Sequence, residues 1–298
     1  MNTPALSQPR RLIFFCAIGL ISIVALPARA DKKPTVEEVV ARHLESIGPT
    51  EARARIRSVK IGGSCLLTVR QGGTGQVDGQ AMMASQGTLN LISMVFNSPD
   101  YPGDSLKFDG TNFTASQFKP GFRTPLAQFF LTNDVLFREG LVGGTLSASW
   151  PLLNLQNKNP KLEYAGLKKV GGKQMHALKY IPRKGSDLKI MLFFDTETFQ
   201  HLRSEYERTI YTTDQQRIAG GGGARPPSGG TQRSSNARIS ASEEFSNFKP
   251  EGGLSLPHTH KFELSIQSEV RPALVDWRFT LTDFTFNAPL DVKQFEGR

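Results

Sequence analysis

The chain has 298 residues, with 36 Lys and Arg against 27 Asp and Glu and a formal charge of +9. No run of five or more basic residues occurs, which argues against a nucleic-acid partner and leaves at most transient contact with anionic membrane surfaces. Phe is frequent, 20 residues against 5 Tyr and 2 Trp, so the aromatic surface is apolar and lacks the polar ends that sugar- and base-stacking proteins use.

Arg10 and Arg11 precede an apolar run from Leu12 to Leu26, and Ala28-Arg29-Ala30 supplies small residues where a signal peptidase reads. The run is short for a membrane span and is followed by Asp31, Lys32 and Lys33. The expectation is a signal peptide over 1–30, cleaved after Ala30, and a periplasmic protein of one domain over 31–298. Cleavage removes Arg10, Arg11 and Arg29, so the charge falls from +9 to +6. Cys65 is then the one cysteine left, which excludes an intrachain disulfide and a zinc ribbon and suits a small buried hydrophobe.

Thr35-Val36-Glu37-Glu38 predicts a capping box, and Val36, Val39, Val40, Leu44 and Ile47 recur at helical spacing before Gly48-Pro49 stops the helix. A short turn from Thr50 to Ile56 leads to a strand over Val59 to Val69. Further strands are expected over Ala81 to Ser85, Thr88 to Phe96, Leu106 to Phe108 and Asn112 to Thr114. Asp109-Gly110 has the composition of a two-residue hairpin turn. Thr124 and Pro125 then open a helical interruption, in which Leu126, Phe129, Phe130, Leu136 and Phe137 line one side, Asn133-Asp134 marks a break and Gly140 a stop. So apolar a helix covers an apolar surface, as ordinary packing or as a lid.

Strands resume over Tyr164 to Val170, Lys173 to Ile181, Leu188 to Phe194 and Phe199 to Tyr211. The segment 214–238 loses all periodicity, with four consecutive glycines from Gly220, and is expected to be a disordered loop. Ala237 to Phe248, His258 to Val270 and Val275 to Phe286 complete the series. In the last, Trp277, Phe279 and Leu281 share a face and Phe284 and Phe286 shift phase, which predicts a bulge near Thr282-Asp283 that returns them to one side. The expected fold is mainly β (α+β): a strongly curved antiparallel sheet forming an unclosed half-barrel, with an N-terminal helix and a helical lid.

Chemistry is sparsely signalled. His258 and His260 share a strand face with Phe262, Leu264 and Ile266 and suit a polar mouth on an apolar face; a hydrolase using them is the lesser alternative. His201, Arg203, Glu205 and Glu207 read as a solvated strand face. No Gly-x-Ser-x-Gly, His-Glu-x-x-His or Ser-x-x-Lys pattern occurs, and no catalytic residue, metal ligand set or cofactor is assigned.

The order of these pieces resembles a known group. His43-Leu44-Glu45-Ser46-Ile47-Gly48 precedes Ile56-Arg57-Ser58-Val59-Lys60. Leu106-Lys107-Phe108-Asp109-Gly110, Tyr164-Ala165-Gly166, Val170-Gly171-Gly172-Lys173 and Leu192-Phe193-Phe194-Asp195 follow. Phe245-Ser246-Asn247-Phe248, Pro257-His258 and Phe284-Thr285-Phe286-Asn287 close the chain. This pattern resembles the bacterial periplasmic lipoprotein carriers and the broader outer-membrane lipoprotein-sorting-like proteins. The resemblance implies an unclosed β-barrel whose concave apolar face, covered by helices, accepts acyl chains. On that reading the chain is a non-catalytic carrier of a lipid-like or acylated ligand, with lipid, acyl chains or a lipoprotein as partner. The alternative is a binding module for another envelope protein. The cavity candidates, chosen for apolar size and placement, are Phe96, Phe108, Phe129, Phe130, Phe194, Phe262, Trp277 and Phe279.

Overall fold

A computed structural model describes Met1 and residues 33–71, 74–116, 121, 123–210, 237–268 and 272–297. The leader expected over 1–30 lies outside the described residues apart from Met1. So does the loop expected over 214–238 up to residue 236, while 237 and 238 are already strand.

The chain opens with α1 (Val36–Ile47) and α2 (Thr50–Arg55). The Thr35 hydroxyl accepts the Glu38 backbone N–H at 3.2 Å and the Glu38 carboxylate accepts the Thr35 N–H at 2.8 Å, the reciprocal capping box that the sequence predicts. Five strands form a meander: β1 (Ser58–Gln71), β2 (Gly75–Gln86), β3 (Leu89–Phe96), β4 (Gly103–Phe108) and β5 (Phe113–Ser116). The β4–β5 connection corrects the two-residue expectation, for Phe108 pairs with Phe113 across four residues. Asp109 Oδ1 accepts the N–H groups of Thr111 and Asn112 at 2.8 and 2.7 Å, an Asx-type turn that leaves positive φ to Gly110 alone.

A helical segment follows: α3 (Pro125–Thr132), α4 (Val135–Glu139), two short 3₁₀ turns at Gly144–Leu146 and Pro151–Leu153, and α5 (Leu155–Lys158). Seven strands complete the sheet: β6 (Lys161–Val170), β7 (Lys173–Ile181), β8 (Lys189–Asp195), β9 (His201–Ile210), β10 (Ala237–Glu251), β11 (Leu254–Gln267) and β12 (Ala273–Phe286). All twelve form one antiparallel sheet in the order β5-β4-β3-β2-β1-β12-β11-β10-β9-β8-β7-β6.

This order explains the helical segment. The first meander ends at one edge, β5, and the second starts at the other, β6, so the connection must cross the whole sheet. The segment between them is that crossing. It covers one face.

The sheet curls around it without closing. Strands β5 and β11 are six positions apart, about 29 Å on a flat sheet. Yet the Phe130 ring lies 6.3 Å from Phe113 of β5 and 5.3 Å from Phe262 of β11. The covered face is therefore concave. Where β1 meets β12, the register slips between Gly62, paired with Asp283, and Gly63, paired with Leu281, so Thr282 is the extra residue of a bulge. Trp277, Phe279, Leu281, Phe284 and Phe286 thereby keep one side, facing Leu67, Cys65, Gly63, Ile61 and Val59.

Candidate functional site

The eight aromatic residues singled out from sequence all belong to one apolar cluster on this concave face, and none is more than 4% exposed. They come from both meanders and from the crossing. Phe129 and Phe130 of α3 pack on Phe262, with centroids 6.3 and 5.3 Å away, and Phe262 packs on Trp277 at 6.1 Å. Phe96 meets Tyr101, which meets Trp277. Phe279 stacks on His260, Phe194 packs on His43 and His201, and Phe108 joins the same cluster. Two pockets of about 400 and 230 Å³ lie elsewhere, one beside Lys60 and Asp283 and one beside Arg138 and Lys184; none of the eight rings lines either.

Hydrogen bonds fix the two ends of the crossing. At its start, Thr124 Oγ1 donates to Asp104 Oδ1 at 2.6 Å and accepts the Ala127 N–H that begins α3. Tyr101 donates to the same carboxyl and accepts from Trp277 Nε1 at 3.1 Å. Burial raises the Asp104 carboxyl above its ordinary value, against the pull of the Thr124 and Tyr101 hydroxyls. At the far end, Tyr180 donates to Glu139 at 2.7 Å and Gly143 N–H donates to Glu243 Oε2 at 2.8 Å. Ala148 N–H donates to Ser85 at 2.8 Å, and Asn90 donates to Ser147 at 3.1 Å.

Between these ends the character changes. Among the described residues, Leu126 to Phe137 make their hydrogen bonds within the crossing, as in Asn133 Nδ2 to Phe129 O and Thr132 Oγ1 to Gln128 O. Their contact with the sheet is hydrocarbon against hydrocarbon. The crossing is a strap pinned at Thr124 and at Glu139–Trp150, with an apolar middle.

A polar interior lies beneath the second pin. Glu243 of β10 is fully buried; its Oε1 accepts from Tyr206 at 2.6 Å and its Oε2 from His260 Nε2 at 2.8 Å. Burial, then the nearby carboxylate, hold the Tyr206 phenol well above its ordinary value, so it remains a donor. His43 of α1 is fully buried as well. Its Nε2 accepts from Trp150 Nε1 at 3.1 Å, and since an indole N–H only donates, Nδ1 carries the proton and donates to Phe199 O at 3.1 Å. Burial lowers this imidazole to about 4 and holds His201 well below its ordinary value too.

These placements revise two expectations. His260 is no mouth residue: it is 1% exposed, sandwiched between Phe245 at 4.9 Å and Phe279 at 5.0 Å, and His258 is 7% exposed beside Phe284. His201 leaves the solvated face expected of it, because pairing slips between Phe193–Arg203 and Phe194–His201 and turns the ring inward onto Trp150. Arg203 and Glu205 do face outward and pair at 2.8 Å. Cys65 is a buried hydrophobe whose thiol burial pushes up to about 12. Among the described residues no three His, Cys, Asp or Glu side chains are grouped to hold a metal, and no helix is long and apolar enough to cross a membrane.

Fold and site together define a mainly β protein whose open antiparallel sheet curls around an apolar strap. No protein-family model matches the chain, and no curated protein matches it. Solved structures are similar to it, among them the following three. A DUF1329 family protein from Desulfovibrio piger ATCC 29098 is 11% identical, covering 88% of this chain and 97% of that one, with a TM-score of 0.43. A LolA superfamily protein from Nitrosomonas europaea is 11% identical over 89% and 98%, with a TM-score of 0.43. An outer-membrane lipoprotein-sorting protein domain from Vibrio parahaemolyticus is 12% identical over 86% and 97%, with a TM-score of 0.39. Their names fall in the group that the sequence resembles; likenesses of this degree say nothing of ligand or partner.

Proposed function

We propose that this chain is an exported, non-catalytic carrier that holds acyl chains of a lipid or lipoprotein between the concave face and the strap. The observation that supports it is the division of the strap into two hydrogen-bonded ends and a middle joined to the sheet by apolar contact alone. Hydrocarbon can replace such contacts without leaving polar groups unpaired, and each methylene buried contributes about 0.8 kcal/mol. Acyl chains then take the place that Phe129 and Phe130 hold against Phe262, which itself packs on Trp277. The other four cavity candidates, Phe96, Phe108, Phe194 and Phe279, extend that surface along the sheet, with Tyr101 between Phe96 and Trp277.

Displacement of a hydrophobic fluorescent probe tests this. Fatty acids are expected to displace the probe from the wild-type protein, more readily for longer chains. A probe that stays bound, or never binds, contradicts the reading.

A further inference from the structure

The second pin of the strap is built with more polarity than a pin requires. Gly143 and Gly144 both have left-handed φ, +83° and +51°, which turns the Gly143 N–H down onto Glu243. A side chain cannot replace the second glycine, since its Cβ would lie 2.8 Å from His201 Nδ1 and 3.0 Å from Phe245. A serine or a backbone carbonyl would pin a backbone N–H at little cost, whereas burying a carboxylate carries a large desolvation cost that its partners must offset. Here the carboxylate is fully buried together with Tyr206 and His260, each no more than 1% exposed.

Hydrogen-bonding capacity also goes unused around it. Among the described residues, His260 Nδ1, His201 Nδ1 and Thr145 Oγ1 are buried without a hydrogen-bond partner. Each such orphan is a desolvated polar atom whose lost hydration nothing offsets. His260 lends its other ring nitrogen to Glu243, and Thr145 follows the two glycines. The site also adjoins the apolar path, because Glu243 pairs across strands with Phe262, the residue on which Phe129 and Phe130 rest.

We propose that Glu243, held by Tyr206 and His260, is the polar end of the ligand site and takes an N–H donor carried next to an acyl chain, an amine or amide, in the place of the Gly143 N–H. The strap's own N–H occupies the position in the ligand-free protein, so entry of the acyl chain and release of this pin are one event. The assignment rests on the carrier reading and adds a ligand class to it.

The test uses probe displacement by dodecylamine and by dodecanol at submicellar concentration, with the wild-type protein and Glu243→Gln. The wild type is expected to bind the amine about tenfold more tightly than the alcohol, the effect of one charge-assisted hydrogen bond. Glu243→Gln is expected to erase that preference while leaving dodecanol within about twofold, a change of less than half a kcal/mol. Should this variant not fold, Tyr206→Phe, which keeps the carboxylate and loosens its position, is expected to narrow the preference. Equal displacement by amine and alcohol in the wild type, or a preference that survives both substitutions, overturns the assignment while the carrier reading stands. Displacement by neither compound overturns both.

Discussion

The rings of Phe130 and Phe262 meet with centroids 5.3 Å apart, one on the strap and the other on β11. Both are buried, at 1% and 3% exposure, so either truncation to Ala is expected to cost about 3–5 kcal/mol in chemical denaturation. Because the two touch, the double variant is expected to lose less than the sum, with a coupling of about 0.5–1.5 kcal/mol. Strictly additive losses would show that the strap does not rest on β11.

Gly144→Ala is expected to destabilise the protein by about 2 kcal/mol or more, because left-handed φ and a blocked Cβ position coincide there. Gly185, with φ +75° and open space around it, gives the comparison, and its change to Ala is expected to cost about 1 kcal/mol. Similar losses at the two positions, measured by denaturant titration, would show that the glycine corner is not packed on His201.

How much of this could be read from the chain divides along physical lines. Caps, turns and alternation are local, so Thr35, Thr124, Gly140 and the bulge at Thr282 were legible, as were the twelve strands, although β2 begins at Gly75, six residues before the expected Ala81. Glu243 was missed although its signal was present: Ile239, Ala241, Glu243 and Phe245 alternate with polar neighbours, which places the carboxylate on the inner face. His201 was illegible because the slip that turns it inward arises in the pairing of β9 with β8, which the alternation within β9 does not show. The crossing from 141 to 159 carries no periodicity, since its path is set by the two sheet edges it joins and not by its own pattern.

The buried imidazoles set a pH dependence. His43 has an ordinary value of 6.5 and a folded value of about 4, so between these the unfolded chain binds a proton that the folded one does not. Stability therefore falls as pH drops from about 6.5 to about 4, by up to about 3 kcal/mol from His43, and His201 adds in the same direction. His43→Gln is expected to flatten the slope of the urea midpoint against pH over that window. An unchanged slope would place the acid sensitivity elsewhere.

The proposed export gives a prediction at the N-terminus. Protein recovered from a bacterial periplasm is expected to begin at Asp31, as read by N-terminal sequencing or intact mass. A chain that keeps Arg10 and Arg11 and sediments with membranes would contradict cleavage.

The carrier account stands or falls on what the protein holds. The most direct measurement is mass spectrometry of the organic extract from mature protein purified out of a bacterial periplasm without detergent. The account predicts an acyl-bearing lipid or lipopeptide near one equivalent per chain. An extract free of acylated species, from protein whose bound probe fatty acids do not displace, would contradict it and turn attention to a protein partner in the envelope.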